Sequence, residues 1–277
     1  MTTPDAGAPG LYFTPAERQA ALDRLLAALA ADERIAGVIL VGSGSVGFGD
    51  AYSDIDLDVV LRAAAEVAPA AADWDARVGA LFEVWGRFAV EHAPDNLLRG
   101  FLLAGYLELD IAFVHLGNLV ARRGRWRVAF DRSGQIEAIQ QRTWAARPRP
   151  DARAIYDEAL SSIWHYVLHV AVAARRGAPW RALHDLETVR RKAVELAGAR
   201  YQLDVRRFRY ADKLPPELLT ALEDTLPASS NPDHILSALR AATICFFDQA
   251  RALAADLRVP PPDALAERLL ALIDAWR

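Results

Sequence analysis

Apolar residues recur along the first half of the chain with two different periods. Leu22, Leu25, Leu26 and Leu29 form one stripe at helical spacing. The helix that carries them opens on Thr14-Pro15-Ala16-Glu17, a capping box with proline at the first helical position, and should end near Asp32. Ile35 to Val41 is a short run rich in β-branched residues, the pattern of a buried strand. Residues 42–53 are rich in glycine and serine and read as a loop that could hold a short helix. In Ile55 to Leu61 the residues Ile55, Leu57 and Val59 alternate with Asp56, Asp58 and Val60, a second strand. Ala72 to Trp85 fits a helix. Arg87 to His92, Gly100 to Ala104 and Leu107 to His115 read as three further strands, the first two separated by the turn Ala93-Pro94-Asp95-Asn96.

Beyond Pro148-Arg149-Pro150-Asp151 the period is helical throughout. Ile155, Ala159, Ile163, Tyr166, Val167 and Val170 define a helix over 152–176 that Asp151 can cap. A second opens at Pro179 and is expected to stop at Gly198. A third opens at Pro215-Pro216 and ends at Pro227, a fourth runs from Asn231-Pro232 to Leu257, and a last one follows Pro260 to Pro262. The pattern predicts an α+β chain: a mixed sheet with helices first, then a helical bundle, with the boundary near 145–151.

Composition narrows the function. The chain has 277 residues, is 53% hydrophobic and 25% charged, and can bury a core. Its net charge of −4 lacks the basic field of a general nucleic-acid binder. The longest apolar run, Ile35 to Gly42, is far short of the roughly 18 residues of a membrane span. The first ten residues have neither the basic nor the apolar part of a secretory signal, so a cytoplasmic protein is expected. A single cysteine, Cys245, excludes a disulfide framework. Of 32 basic residues only Lys192 and Lys213 are lysines, which singles out both.

The chemistry concentrates in residues 41–58, Val41-Gly42-Ser43-Gly44-Ser45-Val46-Gly47-Phe48-Gly49-Asp50-Ala51-Tyr52-Ser53-Asp54-Ile55-Asp56-Leu57-Asp58. A strand ends in Gly42-Ser43, a glycine-rich loop follows, and the next strand begins with two carboxylates. Side chains alternate along a strand, so Asp54 and Asp56 share a face. They repel unless a cation lies between them. Both are hard oxygen ligands, and Mg²⁺ takes one or two carboxylates and completes its shell with water and phosphate. Loop N–H groups and a serine hydroxyl suit a polyphosphate. A third carboxylate, Asp110, lies inside the apolar strand 107–115, with Glu108 on its face; such a group is costly unless paired or metal-bound. Asp58 reads as structural, and Asp50 as a loop cap.

Gly42-Ser43, then Asp54-Ile55-Asp56, then a strand with apolar-Asp110-apolar resembles the nucleotidyltransferase superfamily that includes DNA polymerase β. Ser53-Asp54-Ile55-Asp56-Leu57 is similar to its small-molecule branch, the aminoglycoside and lincosamide nucleotidyltransferases and their relatives. The resemblance covers residues 38–115. Residues 1–13 read as a flexible arm, and the resemblance implies a nucleotidyltransferase domain over 14–147 and a helical domain over 148–277 that closes on substrate and nucleotide. It also implies Mg²⁺-dependent transfer of a nucleoside monophosphate, with ATP the default donor, to a hydroxyl of a small acceptor such as an aminoglycoside-like antibiotic. Asp54 and Asp56 would hold one Mg²⁺, and Asp110 would complete a site for a second. Gly42, Ser43, Gly44 and Ser53 would line the triphosphate.

Glu108 is a candidate general base, with Glu91, Asp157 and Glu158 as rivals. Lys192, in Arg190-Arg191-Lys192, and Lys213, after Arg206-Arg207-Phe208-Arg209, are candidate phosphate contacts. His165 and His169, four residues apart, read as packing histidines because the glutamate of a metalloprotease helix is missing between them. A nucleotidyltransferase acting on a protein, or a nucleotide-binding module without chemistry, are the alternatives. The long helical part argues against the first and the complete carboxylate set against the second. No nucleic acid or membrane partner is expected, and the sequence leaves the oligomeric state open.

Overall fold

A computed structural model describes residues 13–48, 52–93, 95–148 and 150–277. The expected arm falls outside the described residues except for Phe13, whose half-buried ring packs on the core of the first unit. Asp50 also lies outside them. The chain divides into two compact units, Met1–Arg147 and Pro148–Arg277. The first is a mixed sheet with helices and the second is all helix, so the chain is α+β.

The first unit begins with α1 (Pro15–Ala30). Thr14 accepts from Glu17 N and the Glu17 carboxylate accepts from Thr14 N, which satisfies two otherwise unpartnered donors. Six strands follow: β1 (Ile35–Val41), β2 (Ile55–Leu61), β3 (Val84–Ala93), β4 (Asn96–Leu103), β5 (Leu107–His115) and β6 (Trp126–Asp131). The sheet order is β3-β4-β5-β2-β1-β6. Only β2 and β5 run parallel; every other neighbouring pair is antiparallel.

Two further helices belong to this unit, α2 (Val67–Leu81) and α3 (Ile136–Ala145). The periodicity places α2 at 72–85, and the helix starts earlier, at Val67. Pro69 occupies the first turn, where no N–H is needed, and the chain turns extended at Phe82. Trp85 therefore belongs to β3. Neither β6 nor α3 is expected from the pattern. Asp131 fixes both: its carboxylate accepts from the backbone N–H of Ser133, Gly134 and Ile136 and so holds the turn from strand to helix.

Strand parity divides the sheet into two faces. Leu57, Val59, Leu109, Ile111 and Phe113 bury against α1 and α2, with Trp74 fully inside. The other face carries Ile39, Val60 and Val114, packed with Ile136 of α3. Gly37 makes that helix contact possible: a Cβ there would stand 2.3 Å from the Ile136 side chain.

The second unit contains α4 (Ala152–Arg175), α5 (Pro179–Tyr201), α6 (Pro216–Glu223), α7 (Pro232–Leu257) and α8 (Asp263–Trp276). Asp151 caps α4 and Asn231 caps α7 through their side chains. Ile163, Val167, Leu186, Leu239, Phe246 and Ile273 are among the residues of their shared core. Gly198 does not stop α5. The helix runs three residues further to a left-handed Gln202, and the glycine gives room to Val205, whose Cγ2 would lie 2.3 Å from an added Cβ. Among the described residues no helix is long and apolar enough to cross a membrane.

Candidate active site

The first element of the site is the end of β1. Gly42 (φ +70°) leaves the extended conformation and starts a single 3₁₀ turn, Gly42–Val46. Ser45 is buried and its hydroxyl donates to the Gly42 carbonyl at 2.7 Å, which closes the turn. Ser43 is half-buried in that turn and Gly44 is buried, against the Phe48 ring. Ser53 and Asp54 are half-buried and immediately precede β2.

The second element is the parallel pair β2 and β5. Its register sets Asp56 opposite Asp110. Continuing across the sheet, Asp110 lies opposite Gly100 and Gly100 opposite Phe88, while Asp56 lies opposite Val41. The two carboxylates thus sit side by side in one transverse row. The Phe88 ring occupies the space beside Gly100, where a Cβ would be 1.9 Å from it. That ring, 46% exposed, is an apolar wall in line with Asp110.

The electrostatics are those of crowded carboxylates. Burial raises the Asp110 carboxyl to about 6, and Glu108, Asp56 and Asp54 push it the same way while Arg123 opposes them. One Asp110 oxygen, Oδ1, is fully buried without a hydrogen-bond partner among the described residues. Asp58, one turn of the pleat further along β2, is also raised to about 6 by burial, against the pull of Arg122 and Arg123. Asp56 is 7% exposed and is met by Arg123, whose Nη1 donates to Oδ2 at 2.8 Å and Nη2 to Oδ1 at 3.3 Å.

The structure therefore brings together Asp54, Asp56, Asp110 and Glu108 with the 42–46 turn. Glu108 is exposed, two residues before Asp110 on the same face. Glu91 is not a rival for its role. It pairs with Leu97, a residue of the α1/α2 core face, on an edge strand two removed from β5. Among the described residues no three carboxylate, imidazole or thiolate groups converge on a point as metal ligands do.

In the second unit Lys192 is buried and its Nζ donates to Glu158 Oε1 at 2.9 Å, with the Tyr166 ring 5.9 Å away. Asp157 pairs with Arg153. Lys213 is exposed, 4.4 Å from the centre of the Tyr210 ring. His165 and His169 lie with ring centroids 3.9 Å apart.

Arg123 and Ser45 are the residues that sequence reasoning missed. The signal for the first was present: Arg122-Arg123-Gly124-Arg125-Trp126-Arg127 is a dense basic run in a half of the chain whose motif is acidic.

No protein-family model matches the chain, and no curated protein does. Among solved structures it is similar to an aminoglycoside 6-adenyltransferase from Bacillus subtilis. That likeness has 14% identity and a TM-score of 0.46, over 95% of this chain and 98% of that one. It is also similar to a nucleotidyltransferase-like protein from Exiguobacterium sibiricum, at 15% identity and a TM-score of 0.35, over 86% of this chain and 78% of that one. Both likenesses are at low identity, and neither assigns chemistry to this chain.

Proposed function

We propose that the chain is a Mg²⁺-dependent nucleotidyltransferase that moves AMP from ATP to a hydroxyl of a small acceptor, an aminoglycoside-like antibiotic being one candidate. The observation that carries this reading is the side-by-side placement of Asp56 and Asp110 on one sheet face, with a buried oxygen on Asp110 that has no partner among the described residues. Two carboxylates in that relation destabilise the fold unless a cation joins them. The donor set is all hard oxygen, which suits Mg²⁺ and not a soft metal.

In this reading Asp54, Asp56 and Asp110 would hold Mg²⁺, two ions in the active complex, which would supply charge neutralisation to an in-line displacement. The Ser43 hydroxyl and the N–H groups of residues 43 and 44 donate to the β- and γ-phosphates, with Gly42 and Gly44 shaping the turn and Ser53, just before β2, lining the triphosphate. Glu108 takes the proton of the acceptor hydroxyl as its oxygen bonds to the α-phosphorus. The bond from that phosphorus to the bridging oxygen breaks, and pyrophosphate leaves. Lys192 and Lys213 are further candidate phosphate contacts; within the second unit Lys192 donates to Glu158 and Lys213 is exposed.

The test is isothermal titration with Mg²⁺ and a non-hydrolysable ATP analogue. Binding to the parent protein and none to a folded Asp56→Asn variant is the expected result. Equal binding by that variant would remove the site assignment.

A further inference from the structure

Among the described residues Arg123 is a cation in direct contact with the carboxylate row, and the reaction above gives it no part. It lies in the connection between β5 and β6, whose backbone is held at both ends of the segment. The Ala121 N–H donates to Thr143 Oγ1 of α3 at 2.9 Å, and Gly124 lies under the Trp144 ring. From this fixed base the guanidinium reaches Asp56 and covers both of its oxygens. A bidentate pair of this kind is among the stronger charge-assisted contacts. While they accept from Arg123 these oxygens offer fewer lone pairs to a cation, and the guanidinium charge repels one.

The start of the 42–46 turn borders the same Nη1–Oδ2 contact. A Cβ on Gly42 would stand 2.5 Å from Arg123 Nη1 and 2.8 Å from Asp56 Oδ2. Glycine at this position is what allows the charge to lie between the carboxylate and the residue that precedes Ser43. Once a cation takes Asp56, a guanidinium left here would face the like charge of that cation at close range. A phosphate on the neighbouring turn would present the planar pair of acceptors that a guanidinium matches. The side chain is about one-third exposed, so it can rotate without disturbing the strands.

We propose that Arg123 is a positioning residue that acts as the resident counter-ion of Asp56 and exchanges that carboxylate for a nucleotide phosphate when a divalent cation enters. This rests on the reading of the site given above. It makes a distinctive demand: removing the guanidinium must strengthen binding of the cation alone and weaken binding of the nucleotide.

The test uses the full chain and the variants Arg123→Met, Arg123→Lys and Asp56→Asn, each checked for folding by circular dichroism. Mn²⁺ affinity without nucleotide is read from the electron paramagnetic resonance of free Mn²⁺. Affinity for a non-hydrolysable ATP analogue is read by titration at saturating Mn²⁺. Arg123→Met should bind Mn²⁺ about tenfold tighter and the analogue about tenfold weaker, the scale of losing a charged hydrogen bond. Arg123→Lys should fall between parent and Met in both, because it keeps the charge and loses the fork. A merely structural role would shift both affinities the same way. Mn²⁺ binding unchanged or weakened in Arg123→Met overturns the proposal, as does unchanged analogue binding. In either case Mn²⁺ binding that Asp56→Asn abolishes would leave the site reading standing. If parent and Arg123→Met bind neither Mn²⁺ nor the analogue, the site reading fails and takes this inference with it.

Discussion

Replacing Asp110 by asparagine should make the metal-free protein more stable while ending its activity. Burial, then the charges of Glu108, Asp56 and Asp54, raise this carboxyl from 3.8 to about 6. A group whose folded value lies above its unfolded value destabilises the fold wherever it is ionised. The penalty is absent below 3.8, grows as the pH rises towards 6 and is complete above it. At about 1.36 kcal/mol per pH unit, a fully sequestered group would carry a penalty of ~3 kcal/mol at neutral pH. Asp110 keeps partial contact with water, which screens the interaction, so a gain of about 1–2 kcal/mol is expected on neutralising it. Asparagine keeps the shape and removes the charge. Urea unfolding in EDTA at about pH 7.5 and about pH 4 compares the two states, and the gain should be present at the first and nearly vanish at the second. Adding Mg²⁺ with nucleotide should then stabilise the parent and not the variant, since only a ligand bound by the native state raises stability. An Asp110→Asn protein that is less stable than the parent at the higher pH, or equally displaced at both, would refute the claim that these carboxylates are held together at a cost.

Asp32 offers the opposite sign. It accepts from the Arg34 side chain and from Trp74 Nε1, with Arg77 also near, and the Arg34 bonds foremost hold its carboxyl down at about 2. Its stabilisation is full above 3.8 and lost as the pH falls through 2, so Asp32→Asn should cost about 2 kcal/mol near neutrality and nothing at the acid end, read by unfolding across pH. Ser43→Ala should raise the nucleotide KM about tenfold or more with little change in stability, the scale of one hydrogen bond to a charged phosphate; an unaltered KM would mean that the turn does not hold phosphate. Glu108→Gln should bind Mg²⁺ and nucleotide normally and transfer about 10²–10⁴ more slowly, with the acidic limb of the pH–rate profile gone. Parent-level turnover in that variant would move the base elsewhere.

The legible parts of this chain are those set by local rules. The Thr14 capping box, the bounds of β1 and β2 and the caps of α4 and α7 each follow from a few adjacent residues. So does the shared face of Glu108 and Asp110, because parity is local. Helix α3 was hidden because it buries Gln140, a polar residue where the pattern seeks an apolar one. Strand β6 is an edge strand of six residues, five of them only half-buried and the sixth exposed, which leaves a faint alternation. The Asp56–Arg123 pair joins positions 67 residues apart and depends on β1, β2 and β6 pairing correctly first. No window of the sequence contains it.

The same parity that made the site readable explains why it can be kept at all. On the face towards α1 and α2, Leu57, Leu109 and Ile111 alternate with the carboxylates and bury fully. Each such side chain contributes about 1.5–3 kcal/mol on burial, comparable with the penalty of one raised carboxyl on the opposite face. Neighbouring residues on one strand thus supply opposing terms: Leu57 supports the strand that Asp56 and Asp58 burden, and Leu109 and Ile111 support the one that Asp110 burdens. A strand with both faces apolar would be more stable and would hold no cation. A strand with both faces acidic would not form. The alternation is the arrangement in which six- to ten-residue strands carry charged side chains into a sheet interior and remain folded.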